Sequence, residues 1–204
     1  MPNAANFRLL PHEISISRGD KYSVTPLHYA VKSKNKESVK ILLQNGADVC
    51  ATAYKNKSVP HYLFEKNEED SLGQEEDCVD IMKMLMAKGA PIDVVDSDGK
   101  TLLHHAAANK QKEVIKLLLP HYQSEFLEKI DVWSNFALHL LLENIKVVDK
   151  SEEVKYLEVV KLMIEKTPSM IQHYDRFGRT LLHLTAQYGQ TEILKMILPC
   201  YKNK

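Results

Sequence analysis

The chain has 204 residues, of which 44% are hydrophobic and 26% are charged, and this composition favours a folded protein over a disordered one. Its 27 basic and 27 acidic residues give a formal net charge of zero, so no nucleic-acid partner is expected. Three widely spaced cysteines predict free thiols in a reducing compartment such as the cytoplasm, and no apolar run is long enough to predict a signal peptide or a membrane span.

A four-residue element that ends in histidine recurs five times along the chain. It occupies residues 25–28, 58–61, 101–104, 136–139 and 180–183, so its histidines lie 33, 43, 35 and 44 residues apart. Three copies begin with threonine, whose hydroxyl can cap the free N–H groups at the start of a helix. Each copy therefore predicts the beginning of a short helix.

An apolar run interrupted by one lysine follows each copy of this element. The five runs are residues 39–43, 81–85, 114–118, 159–163 and 193–197, and each has apolar residues at i, i+3 and i+4. This spacing is the period of a half-buried helix. Gly46 and Gly89 follow two of the runs, where glycine can adopt the left-handed conformation that ends a helix.

A turn is predicted before each short helix. Aspartate lies five residues before the start of the element in four copies, as Asp20, Asp96, Asp131 and Asp175, while the second copy has Ala53 there. Two residues before the start lie Ser23, Asn56, Gly99, Ser134 and Gly178. Aspartate, asparagine, serine and glycine at fixed offsets are typical of turns.

The order of turn, short helix, turn and longer helix, with a basic period of about 33 residues, resembles the ankyrin repeat. The family signature is Thr-Pro-Leu-His-x-Ala, and residues 25–30 match it at every defined position. The resemblance implies an all-α solenoid of stacked helix-turn-helix units with short β-hairpin fingers. Its expected segments are a cap or half repeat at 1–19, repeats at 20–52, 53–95, 96–130 and 131–174, and a fifth repeat with a cap at 175–204.

The second and fourth repeats depart from the family pattern. Their longer spacings indicate insertions of about ten residues between the two helices. The first insertion, near residues 65–80, is strongly acidic and is expected to be a solvated loop, with a contact to a basic partner as the alternative. The second, near residues 145–155, is mixed in charge. Met196 beside Ile197 leaves an apolar final helix, and we expect that the natural protein continues beyond Lys204.

The finger tips are the predicted binding site. In the family, the residues between the aspartate and glycine positions lie at the ends of protruding fingers, and four of the five fingers here carry an aromatic residue there. Exposed aromatic and arginine side chains are typical anchors of protein interfaces. The alternative is that each ring folds back on the neighbouring finger. The candidate partner-binding residues are Tyr22, Tyr54, Lys55, Lys100, Trp133, Arg176, Phe177 and Arg179, with Tyr188 on the groove side.

The resemblance implies a monomeric protein-interaction module that binds a partner protein along its concave groove and finger tips, without catalytic activity, cofactor or metal. It also implies that the repeated histidines make hydrogen bonds between repeats; at about 10 Å apart they cannot share one ion. No nucleophile or phosphate-binding motif is present in the sequence. The alternatives are a targeting domain of a larger enzyme or of a bacterial or viral effector, and an array that is itself an enzyme.

Overall fold

A computed structural model describes residues 15–65, 75–145 and 150–202 of the chain. The proposed half repeat around residues 7–12 and the middle of the acidic insertion lie outside these ranges. Within them the chain is mostly helical, as the resemblance implies. The α-helices are α1 (Pro26–Lys32), α2 (Lys36–Gln44), α3 (Glu75–Ala87), α4 (Leu102–Ala108), α5 (Lys112–Leu118), α6 (Ser124–Leu127), α7 (Ala137–Asn144), α8 (Lys150–Val154), α9 (Leu157–Lys166), α10 (Leu181–Gln187) and α11 (Thr191–Lys202).

Short 3₁₀ helices and one small hairpin complete the described structure. Strand β1 (Thr52–Ala53) pairs antiparallel with β2 (Lys57–Ser58), with Thr52 opposite Ser58. The second repeat begins with a 3₁₀ helix rather than the expected α-helix. The 3₁₀ helices are Tyr54–Asn56, Val59–Phe64, Leu119–His121 and Pro168–Gln172.

The helices form two rows. In the first row, α1 packs on the 3₁₀ helix Val59–Phe64, which packs on α4, followed by α7 and α10. In the second row, α2 packs on α3, α3 on α5, α5 on α9 and α9 on α11. Each helix therefore covers the equivalent helix of the next repeat, and one continuous apolar core runs through the stack. No helix in the described ranges is long and apolar enough to cross a membrane.

Reciprocal hydrogen bonds fix the start of the first-row helices. Thr101 Oγ1 accepts from the backbone N–H of His104 at 3.4 Å, and His104 Nδ1 accepts from the backbone N–H of Thr101 at 3.2 Å. The exchange satisfies two N–H groups that the first helical turn leaves free. In the fourth repeat Phe136 has no hydroxyl, so only its own N–H bonds to His139 Nδ1, at 3.3 Å.

Glycine ends two of the second-row helices as expected. Gly46 and Gly89 have φ values of 82° and 80°, and the N–H groups of the following alanines reach back to the carbonyls of Leu42 and Leu85, both at 3.0 Å. The left-handed residue lets the chain fold back over the last turn and satisfy its free carbonyls.

Both insertions contribute helix, which corrects the expectation of a loop for the acidic one. Helix α3 begins at Glu75, so the end of the acidic segment is its first turns, and the second insertion contains the additional helix α8. Glu75 Oε1 accepts from the backbone N–H of Glu113, at the start of α5, at 2.8 Å. Glu153 Oε1 accepts from the N–H of Ile193 at 2.7 Å. Each insertion thereby supplies a carboxylate to the N-terminal turn of a helix in the next repeat.

Candidate protein-binding surface

Each finger is built around the side chain at its base. In the fourth finger, residues 131–135, Asp131 Oδ1 accepts from the N–H groups of Trp133 at 2.9 Å and Asn135 at 2.8 Å. The same pair of bonds is made by Asp20, Asp96 and Asp175 in the first, third and fifth fingers. One carboxylate oxygen thus closes the turn, which is why aspartate recurs at this offset.

The left-handed conformation occurs at the same position of all five fingers. The φ values there are 61° at Ser23, 54° at Asn56, 73° at Gly99, 60° at Ser134 and 73° at Gly178. This confirms the turns predicted from the sequence. Glycine adopts such a φ freely, and small polar residues adopt it at a modest cost.

The second finger lacks the aspartate and uses another geometry. Ala53 stands in its place, and both tip residues, Lys55 and Asn56, have positive φ values of 62° and 54°. Two such residues between paired strands are typical of a tight hairpin turn. Asn56 Nδ2 also donates to the carbonyl of Val95 at 2.7 Å, which ties this finger to the third.

Backbone hydrogen bonds join the fingers into one row. The N–H of Tyr54 donates to the carbonyl of Tyr22 at 3.0 Å, and the N–H of Arg176 donates to the carbonyl of Trp133 at 3.2 Å. Equivalent bonds of 2.9 Å connect the second finger to the third and the third to the fourth. The side chains at the tips therefore project from a connected frame rather than from separate loops.

The four aromatic tips differ in exposure. Tyr22, Tyr54 and Phe177 are 53%, 64% and 65% exposed, whereas Trp133 is half-buried. The rings of Tyr22 and Tyr54 tilt towards each other with centroids 6.2 Å apart. Neighbouring tips thus touch, as the alternative interpretation expects, and still leave most of the ring surface open to a partner.

A cation lies over each of these four rings. Lys21 Nζ is 4.9 Å from the Tyr22 centroid and Lys55 Nζ is 6.0 Å from that of Tyr54. The other two rings belong to one cluster, in which Lys100 Nζ lies 4.5 Å from Trp133 and Arg176 Cζ lies 4.5 Å from Phe177. Such contacts hold a cation in place by attraction to the ring face without neutralising its charge.

Arg179 differs from these cations because carboxylates surround it. Its Nε donates to Asp175 Oδ2 at 2.6 Å, and its Nη2 forms an ion pair with Glu143 of α7. Burial would raise the pKa of the Asp175 carboxyl, but the backbone N–H groups of the turn and Arg179 outweigh it and lower the pKa. Arg179 therefore links the fifth finger to the neighbouring repeat.

The second oxygen of the turn aspartate is also occupied in the first and third fingers. The Tyr29 hydroxyl donates to Asp20 Oδ2 at 2.8 Å, and His105 Nε2 lies 2.8 Å from Asp96 Oδ2. Burial would raise the pKa of Asp96, but the hydrogen bonds from His105 and the backbone lower it to about 2. These fingers are anchored to the first-row helix of their own repeat.

Four of the five repeated histidines, His28, His61, His104 and His139, are buried between repeats, and His183 of the last repeat is exposed. His104 Nε2 donates to the carbonyl of Asn135 in the next repeat at 3.0 Å, and His61 Nε2 lies 3.4 Å from the carbonyl of Lys100. The Nε2 atoms of His28 and His139 have no hydrogen-bond partner among the described residues. Throughout the described ranges, no group of three or more potential ligands could hold a metal ion.

An open cavity of about 220 Å³ lies between the fourth and fifth fingers. It brings five predicted residues together, while Tyr22, Tyr54 and Lys55 lie on the first two fingers and Tyr188 packs half-buried against the core. The candidate binding residues did not include Leu140, Asp131 and Asn135, which belong to the fourth finger and to α7 of the same repeat. The lining residues are Lys100, Asp131, Trp133, Asn135, Leu140, Glu143, Arg176, Phe177 and Arg179.

Comparison with known families gives three matches along the chain. Residues 6–53 match a family described as ankyrin repeats in three copies, residues 74–119 match ankyrin repeats in many copies, and residues 177–203 match a single ankyrin repeat. The matches fall in the first three repeats and in the last one.

Curated relatives share this similarity over only part of their length. The NAD-dependent deacetylase sir2B of Dictyostelium discoideum is 26% identical over 90% of this chain, which corresponds to 22% of that protein. Human inversin is 30% identical over 87% of the chain and 18% of its own length. The putative ankyrin repeat protein FPV244 of fowlpox virus is 34% identical over 66% of the chain and 18% of its own length.

Proposed function

The chain belongs to the ankyrin-repeat family, and from this premise we propose that it binds a partner protein with the tips of its fourth and fifth fingers and the adjoining concave groove. Ankyrin repeats are in general protein-interaction modules rather than catalysts. The similarity to the deacetylase spans 22% of that enzyme and transfers no activity to this chain.

The observation that carries the proposal is the cluster of Trp133, Phe177, Lys100 and Arg176 around an open cavity. Aromatic and arginine side chains contribute most of the binding energy at many interfaces. Phe177 is largely exposed, and the cations are held over the rings. Because the fingers are hydrogen-bonded to each other, little conformational entropy is lost when a partner binds them.

The test is the double substitution Trp133→Ala and Phe177→Ala. The matched control is Ile41→Ala with Leu198→Ala, two exposed apolar residues away from the fingers. Each purified protein is immobilised, and the proteins that it captures from lysate of its source cells are quantified by mass spectrometry. We expect specific partners to be depleted about tenfold or more by the finger variant and retained by the control. Equal capture by both variants would refute the finger site.

A second candidate function is that of a targeting domain within a larger protein. It is favoured by the short share, about a fifth, that the chain covers of relatives such as the deacetylase and inversin. In that case the same fingers would select the target and the catalytic part would lie elsewhere. Sequencing the full transcript on both sides of the segment from Met1 to Lys204 distinguishes the two candidates, because a larger protein requires an open reading frame that continues on at least one side.

We also propose that the protein is a monomer in a reducing compartment. Its three cysteines, Cys50, Cys78 and Cys200, are free, and Cys78 is buried. Sedimentation equilibrium in a thiol reductant tests the first point, since a monomer mass is expected. Alkylation of the thiols during lysis of the source cells tests the second, since all three cysteines should be found reduced.

A further inference from the structure

Two cations approach the same indole ring. Lys100 Nζ lies 4.5 Å from the Trp133 centroid, and Arg176 Cζ lies 6.0 Å from it. Neither cation forms an ion pair with a carboxylate in the part of the chain that the structure describes. The two acidic residues that line the cavity are engaged, because Glu143 binds Arg179 and Asp131 closes its own turn.

We propose that the partner places acidic side chains beside Lys100 and beside Arg176, within an extended acidic segment whose apolar side chains pack on Trp133 and Phe177. This inference rests on the proposed function and adds the chemistry of the partner to it. A carboxylate beside either cation would gain a charge-assisted hydrogen bond to a group that lies over an aromatic ring and has no ion pair among the described residues.

The other fingers extend the same combination along the row. Lys21 lies over Tyr22 and Lys55 over Tyr54. Among the described residues neither lysine forms a close ion pair, and the only carboxylate that Lys21 is shown to influence is that of Asp20, which closes its own turn. Stacked helices are separated by about 10 Å, and an extended peptide advances about 3.3 Å per residue, so one finger corresponds to about three residues. An acidic residue at every third position would therefore meet successive fingers. The third finger is the exception, because its tip carries Asp98.

An acidic protein segment fits this surface better than a nucleic acid. Beneath the tips lie the turn carboxylates of Asp96, Asp131 and Asp175, all buried and each accepting backbone hydrogen bonds. They would repel a continuous line of phosphates, and the chain as a whole has no basic excess. Isolated carboxylates separated by apolar residues can contact the outward cations and the rings while avoiding these buried charges.

The single tryptophan of the chain makes the test direct, because fluorescence excited at wavelengths that the nine tyrosines do not absorb reports only on Trp133. The probes are blocked peptides of about nine residues that repeat Leu-Glu-Glu, Leu-Gln-Gln or Leu-Lys-Lys, together with a single-stranded oligothymidylate. We expect the acidic peptide to change the fluorescence with a Kd about tenfold lower than that of the glutamine peptide. The preference should fall as salt rises from about 0.1 M to about 1 M, since screening then acts over about 3 Å.

Variants assign the preference to the two cations. The double variant Lys100→Gln with Arg176→Gln should lose the tenfold preference, whereas Lys100→Arg with Arg176→Lys should keep it. The matched control Lys40→Gln with Lys83→Gln removes two exposed lysines of the second-row helices and should also keep it. Far-ultraviolet circular dichroism checks that every variant is folded.

Several outcomes would overturn the inference. These are no response to the acidic peptide, equal binding of the acidic and glutamine peptides, equal loss in the control variant, or tighter binding of oligothymidylate. If one of them occurs while lysate partners still depend on Trp133 and Phe177, the partner chemistry is wrong and the finger site stands. If the captured partners are indifferent to Trp133 and Phe177, the proposed function itself fails.

Discussion

The buried carboxylate of Glu153 accepts a hydrogen bond from the backbone N–H of Ile193 at 2.7 Å. Glu153 belongs to the insertion of the fourth repeat, and Ile193 lies in the first turn of α11. The first N–H groups of a helix have no partner within the helix, and the positive end of its dipole favours an anion. The insertion is therefore part of the support of the last repeat.

Replacing Glu153 should weaken the C-terminal end of the stack. We expect Glu153→Ala to lower the free energy of unfolding by about 2 kcal/mol, because a charge-assisted hydrogen bond is lost and an N–H group is left unpaired. Glu153→Gln keeps an acceptor and should cost less. Urea unfolding followed by circular dichroism measures both, with the exposed Glu165→Ala as a control expected within about 0.5 kcal/mol. A value for Glu153→Ala similar to that of the control would contradict the capping role.

The repeated histidine should contribute most to the free energy of unfolding in a repeat that is covered by the next repeat. His104 is buried and donates to the carbonyl of Asn135, whereas His183, at the same position of the fifth repeat, has an exposed side chain. We expect His104→Ala to cost about 3 kcal/mol, from the lost hydrogen bonds and the cavity, and His183→Ala to cost less than about 1 kcal/mol. Unfolding midpoints of the two variants check this order. Equal costs would mean that the bond between repeats contributes little.

Local contacts explain why much of this fold could be predicted from the sequence. The exchange between Thr101 and His104 spans three positions, and the two bonds of Asp131 reach only to Trp133 and Asn135. Residues this close along the chain meet in almost any context, so a repeated pattern of them predicts the helix starts and the turns.

Contacts between repeats could not be predicted in the same way. The bond of Glu153 to Ile193 and that of Glu75 to Glu113 join residues about forty positions apart, and nothing in the sequence pattern around them signals it. The start of α3 at Glu75 was missed because the acidic composition of that segment favoured a loop.

The sequence predicted several of the residues that form the candidate site but not how their side chains are arranged. The aromatic tips follow from their offsets, and their part in binding stays a prediction. That Lys100 of the third finger lies over Trp133 of the fourth depends on how two repeats stack. Stacking also decides that Arg179, already paired with Asp175 in its own turn, pairs with Glu143 of the neighbouring repeat, and that Tyr188 packs against the core.

Stability should fall in mild acid because of the buried histidines. Burial lowers the pKa of His61, His104 and His139 from the ordinary 6.5 to about 4. The unfolded chain therefore takes up protons first, and stability that is complete above pH 6.5 is lost as the pH falls towards 4. Each histidine contributes up to about 1.4 kcal/mol per pH unit within this interval.

Urea midpoints between pH 7.5 and 4.5 measure this dependence. Because the pKa of the Asp96 carboxyl is lowered to about 2, the stability that this carboxylate contributes is lost only below the pH range of the measurement. Asp96 therefore does not affect the profile. Burial lowers the pKa of His28 as well, so His104→Asn removes one of four such groups and should make the profile shallower by up to about a third. A stability that is flat from pH 7.5 to 4.5 would contradict the burial of these imidazoles.

Two glycines at equivalent positions of the third and fifth fingers should respond differently to alanine. Both have a φ of 73°, but a Cβ at Gly99 would lie 3.3 Å from the carbonyl oxygen of Ile130, whereas a Cβ at Gly178 meets no atom within 4 Å. We expect Gly178→Ala to cost about 1 kcal/mol, from the left-handed backbone alone, and Gly99→Ala about 2 kcal/mol or more. Ser134 holds the same conformation with a φ of 60°, so Ser134→Gly should stabilise the protein by up to about 1 kcal/mol. Thermal unfolding midpoints rank the three variants. Equal midpoints for the two alanine variants would mean that the backbone at Ile130 moves away from the new Cβ without a cost in stability.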